Sequence, residues 1–312
     1  MKKILVIIVT YNGSKWIENC LDSVINSSLA SDVFIVDNCS SDDTVSIIEG
    51  KYAQAVILHK SKINLGFGKG NNIGLKYALA NGYDYVFLLN QDAFLDKDTL
   101  KRMISVSELN AGYGILSPIH LNADGNQLEM YFSQFVNCQN NPDFYSDFVI
   151  KKEVKDVYDF NFINAAAWLL PIKTLKMIGG FDPIFWHYGE DDNYCQRVLY
   201  HNLKIGVVPN TFVRHDTKIR QYNVDYLYTT RYFQDYEKNL QVKYGNINYQ
   251  YHVDVLLYER KKIVKLLLLS FIRFDFKALK ATFTKLKNVK KIIDQISESR
   301  KINVSLGSHY IE

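Results

Sequence analysis

Apolar and polar positions alternate along the first ninety residues in a way that predicts strands and helices in turn. Continuous apolar, β-branched runs, typical of strands buried on both faces of a sheet, occupy residues 3–10, 32–36, 55–59 and 85–89. Between them the helical spacing of apolar residues predicts helices over residues 16–25, after residue 44 and over residues 71–81, with Ser14 placed to cap the first. This order predicts right-handed βαβ units and an α/β fold with a mostly parallel, Rossmann-like sheet flanked by helices.

The pattern changes beyond the fourth predicted strand. Residues 110–160 are polar and aromatic without clear periodicity, which predicts loops that cross the sheet rather than core elements. Regularity returns at residues 162–171, and residues 203–208 form another buried-strand candidate.

Composition places the chain among ordinary globular proteins. Its 312 residues are 47% hydrophobic and 22% charged, which excludes a disordered, collagenous or coiled-coil chain. The four cysteines are far apart and form no CxxC pair, so the sequence indicates neither a zinc site nor a disulfide framework.

The net charge of +4 hides a strong asymmetry. Residues 260–291 carry eleven basic side chains and one acid, a net charge of +10, so the remaining chain carries −6. An apolar run at 266–272 is too short to span a bilayer, and residues 277–293 continue with apolar residues at helical spacing. Two interpretations stay open: helices over residues 260–293 that lie on an anionic membrane surface, or a helical hairpin packed on the preceding domain with a solvated basic face.

Polar clusters follow three of the predicted strands, where ligands of parallel α/β sheets bind. Asp37 can accept hydrogen bonds from a base or ribose, or it can stabilise a turn. The glycine-rich segment 64–74 allows close approach of backbone to ligand, and its Lys69 can meet a diphosphate, but a tight loop before a helix also requires glycine. Asp92 can bind a hard divalent ion or cap a turn.

A fourth cluster combines acids with aromatic residues. Glu190, Asp191 and Asp192 are consecutive, so mutual repulsion and burial can raise one carboxyl pKa into the range of a general base, with Arg197 two helical turns further on. The alternative is an acidic helix N-terminus stabilised by the helix dipole.

Taken in order, these segments resemble the family 2 inverting glycosyltransferases of the GT-A fold, and in particular the bacterial rhamnosyltransferase-like branch. The matching segments are VTYN (9–12), VDNCSSDDT (36–44), NLGFGKGNNIGL (64–75), LLNQDAFL (88–95), GGFDPIF (179–185) and YGEDDNYCQRV (188–198). The resemblance covers roughly residues 3–217. It implies the GT-A nucleotide-diphospho-sugar transferase fold.

The resemblance also implies roles for individual residues. Donor nucleotide binding falls to Thr10, Tyr11, Asn12, Asp37, Asn64, Gly66, Lys69, Asn71, Asn90 and Asp92. Asp92 matches the last residue of the DxD metal motif, Asn90 replaces its first aspartate, and His215 resembles the downstream histidine that completes a Mg²⁺ or Mn²⁺ site. Asp191 matches the catalytic base, with Glu190 beside it. The sugar or acceptor wall is assigned to Trp186, His187 and Tyr188.

The implied activity is metal-assisted transfer of a sugar, from dTDP-rhamnose or a UDP-hexose, to a lipid-linked or surface polysaccharide. The implied location is cytoplasmic and peripheral on the inner face of the plasma membrane. We expect a catalytic domain at 1–240, with a nucleotide half to about 110 and an acceptor half from about 111, and a basic helical extension at 241–312. A sugar-nucleotide nucleotidyltransferase and a non-catalytic glycan-binding module are the alternatives. Nucleic acid is not an expected partner, because the basic run is interleaved with aliphatic rather than aromatic residues.

Overall fold

The computed structural model describes residues 2–217, 226–250 and 254–311. Within them the strands are β1 (Ile4–Thr10), β2 (Asp32–Asp37), β3 (Ile57–Lys60), β4 (Tyr85–Asn90), β5 (Ala93–Leu95), β6 (Tyr113–Leu121), β7 (Tyr158–Phe160), β8 (Ala167–Pro171) and β9 (Lys204–His215). The helices are α1 (Ile17–Ile25), α2 (Thr44–Lys51), α3 (Phe67–Ala80), α4 (Thr99–Leu109), α5 (Met130–Phe135), α6 (Pro142–Val149), α7 (Ile172–Ile178), α8 (Glu190–Tyr200), α9 (Thr230–Gly245), α10 (Val255–Ile272) and α11 (Phe276–Asn303).

All nine of these strands form one sheet, in the order β3-β2-β1-β4-β8-β6-β9-β5, with β7 also paired to β9. The four strands β3, β2, β1 and β4 are mutually parallel, as the alternating pattern predicts. The other half is mixed, since β8 runs antiparallel to both β4 and β6, while β6 and β9 are parallel. Two apolar layers cover the sheet, one on each face.

Residues 110–160 depart most from expectation. The predicted loops contain β6, a nine-residue strand buried over nearly its whole length in the middle of the sheet. Because Gly, Ser, Pro and His interrupt the apolar residues of its sequence, YGILSPIHL, no strand was predicted here. The segment after it contains the short helices α5 and α6 and also β7, which pairs with β9 in the sheet, so the prediction of loops without core elements is wrong there too.

The predicted cap of the first helix is also wrong. α1 starts after Trp16, and its first turn is closed by the Gly13 carbonyl, which accepts hydrogen bonds from the amides of Trp16 and Ile17. The Ser14 amide instead donates to Asp42 Oδ2 at 3.1 Å. This hydrogen bond therefore links the residues between β1 and α1 to the loop that follows β2.

The C-terminal helices are tied to the rest of the protein at both ends. α9, α10 and α11 share a small apolar core that includes Leu240, Ile263 and Val289. At the far end of α11, Ser299 and Asn303 donate to the buried Asp182 carboxylate, at 2.5 and 2.8 Å. The predicted domain boundary at residue 240 falls inside α9. Residues 218–225 and 251–253, on either side of this helix, lie outside the described residues. The division into two domains therefore stays a prediction.

Among the helices that the structure describes, none combines the length and apolar character needed to cross a membrane.

Candidate active site

The parallel strands bring three predicted donor residues to one edge of the sheet. Thr10 pairs with Asp37 across β1 and β2, and Asn90 pairs with Val9 across β4 and β1. Asp37 is buried, and its Oδ2 accepts the Ser40 amide at 3.2 Å. Its Oδ1 is also buried and has no hydrogen-bond partner among the described residues. An unsatisfied carboxylate oxygen at a strand tip suits a ligand hydroxyl or imide donor.

Gln91 organises the loop after β1, a role that the sequence did not reveal. Its Oε1 accepts the Thr10 hydroxyl at 2.6 Å and the Tyr11 amide at 2.9 Å. Asn12 has φ +49°, and its Oδ1 accepts the Ser41 amide at 2.8 Å. Tyr11 is 46% exposed beside this edge. Gln91 and Ser41 therefore hold Thr10, Tyr11 and Asn12 in a fixed arrangement. In the sequence, the only sign of this role was that Gln91 is polar and lies between Asn90 and Asp92.

The helix of the glycine-rich segment begins earlier than predicted, while contact of Gly66 with a nucleotide stays a prediction. α3 begins at Phe67 rather than near residue 71, so most of these glycines lie in a helix. Gly70 allows this helix to lie against β1, because a Cβ there would stand 2.9 Å from Val9. Gly66 has φ +81°, and a Cβ there would collide with the Trp186 carbonyl. Gly70 thus allows α3 to pack closely on β1. Gly66 allows the turn before α3 to lie against Trp186, in the aromatic segment before α8.

Two asparagines shape the turn before α3. Asn38 Nδ2 donates to Asn64 Oδ1 at 3.0 Å and to the Gly66 carbonyl at 3.1 Å, and its Oδ1 accepts the Leu65 amide. Asn71 is buried and donates to the Phe67 carbonyl within α3, while Lys69 is exposed. Contacts of Asn64, Asn71 and Lys69 with a nucleotide stay predictions.

The structure brings together the predicted metal ligands, which are 123 positions apart in the sequence. β5 pairs with the end of β9, so that Ala93 lies opposite His215. Asp92 Oδ1 is 3.3 Å from His215 Nε2, and Asn90 Nδ2 is 3.5 Å from the same nitrogen. Asn90 Oδ1 is buried without a hydrogen-bond partner among the described residues. A carboxylate, an imidazole and an unsatisfied amide oxygen form a donor set that fits Mn²⁺ or Mg²⁺.

Two further side chains lie behind His215. His120, at the end of β6, and Glu129, which caps α5, place ligand atoms within 4.8 Å of each other and of His215. All three residues are buried. Neither His120 nor Glu129 was among the predicted site residues, because both fall in the stretch predicted to be irregular.

The acidic cluster forms the first turn of α8. Glu190 is 4% exposed, and burial together with the neighbouring Asp191 carboxylate raises its pKa. Burial raises the pKa of Asp191 as well, although the nearby backbone amides of Asp192 and Ala165 favour its charged form. These amides leave Asp191 the better placed of the pair to ionise, whereas burial and the Asp191 carboxylate favour the protonated form of Glu190.

The acids and the metal candidates share the same edge of the sheet. The Asn90 amide donates to the Ala166 carbonyl at 2.9 Å, and the adjacent Ala165 amide faces Asp191. Trp186 is 53% exposed, and the rings of His187 and Tyr188 lie 3.9 Å apart between it and α8. The backbone of Ala165 and Ala166 therefore links the predicted base Asp191 to Asn90, at the strand end that carries predicted donor and metal residues, and exposed aromatic rings precede α8.

Arg197 forms no site with the acids, contrary to its grouping with them in the sequence, and instead bonds the segment before α8. It is fully buried, and its guanidinium donates to the carbonyls of Ile178 and Gly180. Asn72 holds the same segment from the other side, bonding both the amide and the carbonyl of Phe181. These residues position the GGFDPIF segment that leads into α8.

The fold and this site define the class of the protein as a GT-A transferase. The model of the family described as "Glycosyl transferase family 2" matches residues 5–170, and the chain belongs to this family. The predicted family and fold class are confirmed, whereas the rhamnosyltransferase-like branch stays a prediction.

Individual relatives support the same placement. The chain is 35% identical over 107 residues to the poly(ribitol-phosphate) β-N-acetylglucosaminyltransferase TarS of Staphylococcus aureus, which covers 32% of this chain and 18% of TarS. It is 24% identical over 217 residues to the low-salt glycan biosynthesis hexosyltransferase Agl10 of Haloferax volcanii, covering 64% of this chain and 63% of Agl10. The chain thus spans less than two thirds of the length of either relative.

Solved structures agree on the fold. S. aureus TarS 1–349 in complex with UDP-GlcNAc superposes with a TM-score of 0.56 at 16% identity, covering 97% of this chain and 88% of that one. GalNAc-T7 with UDP, GalNAc and Mn²⁺ gives a TM-score of 0.58 at 12% identity, covering 78% and 47%. At these identities the likeness concerns the fold alone.

Proposed function

We propose that this protein is an inverting glycosyltransferase that moves a hexose or N-acetylhexosamine from a UDP-sugar to a hydroxyl of a polysaccharide acceptor. The observation that carries this proposal is the meeting of Asp37, the Asp92–His215 pair and Asp191 at one edge of the sheet. Of the two predicted donors, dTDP-rhamnose and a UDP-hexose, the UDP-GlcNAc complex of TarS favours a UDP-sugar, and the names of TarS and Agl10 favour an N-acetylhexosamine or a hexose as the transferred sugar.

In this proposal the donor lies across the ends of β1, β2 and β4. The free Oδ1 of Asp37 accepts a hydrogen bond from the base or ribose, and the exposed ring of Tyr11 borders the nucleotide. Lys69, at the start of α3, supplies a positive charge on the diphosphate side. Trp186 and Tyr188 border the sugar and its acceptor.

Asp191 performs the proton transfer. The acceptor hydroxyl attacks the anomeric carbon from the face opposite the diphosphate, the bond from that carbon to the leaving oxygen breaks, and the hydroxyl proton passes to the Asp191 carboxylate. One displacement inverts the anomeric configuration and requires no covalent enzyme intermediate. A protonated Glu190 beside Asp191 keeps a second negative charge away from the incoming hydroxyl.

Asp92 and His215 would hold a divalent cation, with the Asn90 amide oxygen as a neighbouring donor. When bound, such a cation neutralises charge on the departing diphosphate.

Calorimetric titration with UDP, dTDP, GDP and CMP, with and without Mn²⁺, tests the donor assignment. We expect UDP to bind with an affinity that rises when Mn²⁺ is present. Preference for dTDP would redirect the donor to dTDP-rhamnose, and binding of none would contradict the proposal. Because a glycan-binding module could also bind UDP, the second measurement is donor turnover, with the anomeric configuration of the product read by NMR.

We also propose that the basic helices rest on an anionic membrane surface. α10, the turn after it and the first residue of α11 expose large apolar side chains, with Phe274 78% exposed: Leu257, Val264, Leu268, Phe271, Ile272, Phe274 and Phe276. Arg260, Lys261 and Lys265 lie among them on α10. Cations flanking exposed apolar residues match a surface with anionic headgroups and an apolar interior. Location on the inner face of the plasma membrane stays a prediction.

Vesicle flotation tests this surface. The full chain is expected to float with vesicles containing phosphatidylglycerol and to float much less with neutral vesicles. The double change Phe271→Ser and Phe274→Ser should reduce flotation about tenfold or more, because each buried phenylalanine contributes about 2 kcal/mol.

The matched control exchanges two exposed aromatic residues on α6, Tyr145→Ser and Phe148→Ser. It is expected to float like the wild type. Equal flotation of both variants would contradict the proposal, as would sedimentation showing that the exposed apolar side chains instead hold two copies of the chain together.

A further inference from the structure

A buried polar cluster stands directly behind the proposed metal ligand His215. It comprises His120, Glu129 and His215, whose ligand atoms all lie within 4.8 Å of one another. His120 stacks on Phe132 at 4.6 Å between ring centroids, and its Nε2 lies 3.0 Å from Ser117 Oγ. The cluster joins the end of β6 and the start of α5, whose residues His120 and Glu129 are nine positions apart, to the end of β9, which lies far along the sequence.

The orientation of His215 leaves its Nδ1 atom in need of a hydrogen-bond partner. Its Nε2 faces Asp92, whereas its Nδ1 is buried and has no hydrogen-bond partner among the described residues. A neutral imidazole that offers the Nε2 lone pair to a cation carries its hydrogen on Nδ1. A buried N–H group needs an acceptor, and ligating histidines almost always donate this hydrogen to a carboxylate, a carbonyl or a water molecule.

Glu129 is the carboxylate of the cluster, and the structure fixes it firmly. It is 1% exposed, its Oε2 accepts the Phe132 amide at 2.7 Å, and its Oε1 accepts the Thr217 hydroxyl at 2.8 Å. Each oxygen keeps a second lone pair for another donor. Thr217 follows His215 by two residues, so the same carboxylate also anchors the backbone that carries the histidine.

We infer that Glu129 is a positioning residue for His215: its carboxylate accepts the Nδ1 hydrogen of His215, directly or through one water molecule, and thereby keeps Nε2 facing Asp92. His120 packs against the pair and closes the cluster from the β6 side. The inference rests on the proposed function, because it takes His215 to be a metal ligand.

The test combines the histidine tautomer with metal affinity. In the ¹⁵N-histidine NMR spectrum of the full chain with UDP and Mg²⁺, His215 should be in the Nδ1–H tautomer. In Glu129→Gln it should become a mixture of tautomers, because an amide can present either an acceptor or a donor. With UDP present, the dissociation constant for Mn²⁺, measured from the EPR signal of free Mn²⁺, should rise about 10- to 100-fold.

Controls separate positioning from folding. Glu129→Gln keeps the shape of the helix cap, and its UDP affinity without metal should match the wild type. Glu129→Asp, which retains a carboxylate, should recover part of the Mn²⁺ affinity. Glu153→Gln makes the same chemical change at an exposed position and should alter neither the tautomer nor the affinity.

Two results would overturn the inference. One is an unchanged tautomer and unchanged Mn²⁺ affinity in Glu129→Gln. The other is a second Mn²⁺ ion in the wild type that is lost in His120→Asn, since the cluster would then be a metal site of its own. If His215→Ala leaves Mn²⁺ affinity intact, the metal ligand in the proposed function fails. If it lowers that affinity while Glu129→Gln does not, only the positioning role fails.

Discussion

Replacing Asp191 by asparagine is expected to lower kcat for sugar transfer about 10³-fold while leaving UDP affinity within about twofold of the wild type. Asparagine matches aspartate in shape, and its carbonyl oxygen can still accept the Asp192 amide that now bonds Asp191 Oδ1 at 3.0 Å. It cannot accept the proton of the attacking hydroxyl. The loss should therefore appear in turnover measured with saturating donor and acceptor, and not in calorimetry with UDP.

Asp192 offers a matched control on the same helical turn. Burial and the Asp191 carboxylate raise its pKa as they raise that of Glu190, but the proposed mechanism gives it no proton to move. Asp192→Asn should retain transfer within about tenfold of the wild type. Near-normal turnover in Asp191→Asn, or an equal loss in Asp192→Asn, would remove the base assignment.

The same assignment gives the sign of the pH dependence. Because a general base acts only when ionised, transfer should fall as the pH decreases through the raised pKa of Asp191, above the ordinary aspartate value of about 3.9. Glu190→Gln exchanges a carboxyl that already holds its proton for another neutral group, so it leaves the pKa of Asp191 in place. The acidic limb of the rate profile should therefore not move in this variant, and a shift toward lower pH would mean that Glu190 is charged beside Asp191.

The nucleotide half of the fold could be predicted because its signals are local. The strands β1, β2 and β4 each contain a continuous apolar run, and polar residues follow directly at the strand end. Parallel neighbours then require Thr10, Asp37 and Asn90 to share an edge. No tertiary information is needed for this step beyond the rule that βαβ units are right-handed.

The rest depended on pairings that local patterns do not encode. β6 carries glycine, serine and proline, but it is held between β8 and β9 in the sheet interior. His120 and Glu129 acquire their place behind His215 only through that pairing and through the cap of α5. Sequence alone does not distinguish glycines that allow close approach to a ligand from glycines that allow close approach to a strand, and Gly70 of α3 lies against β1.

The C-terminal segment shows how a distant part of the chain contributes to the site. Asp182, buried in the GGFDPIF segment, accepts hydrogen bonds from Ser299 and Asn303 of α11 and from the Tyr310 hydroxyl at 3.2 Å. The Gly180 amide also donates to the His309 carbonyl. This segment leads into the acids of α8. The hydrogen bonds of Asp182 therefore connect α11 to the segment that positions the proposed base Asp191.

Replacing Asp92 by alanine is expected to abolish the increase in UDP affinity that Mn²⁺ produces. Asp92 Oδ1 is the anionic oxygen facing His215 Nε2, so its removal leaves a neutral imidazole and the Asn90 amide to hold a doubly charged ion. Hard divalent cations prefer anionic oxygen ligands, and two neutral donors bind them weakly. In calorimetry, UDP affinity should be the same with and without Mn²⁺, and transfer should fall about 10²-fold or more.

Asp96 provides the control, because it is an exposed aspartate four positions further along the same segment. Asp96→Ala removes the same charge without touching the pair at His215, so its Mn²⁺-dependent affinity should equal that of the wild type. An equal loss in Asp96→Ala would mean that general negative potential, and not coordination, governs metal binding. Retained Mn²⁺ dependence in Asp92→Ala would move the ion away from the Asp92–His215 pair and toward His120 and Glu129, the other ligand atoms within reach of His215.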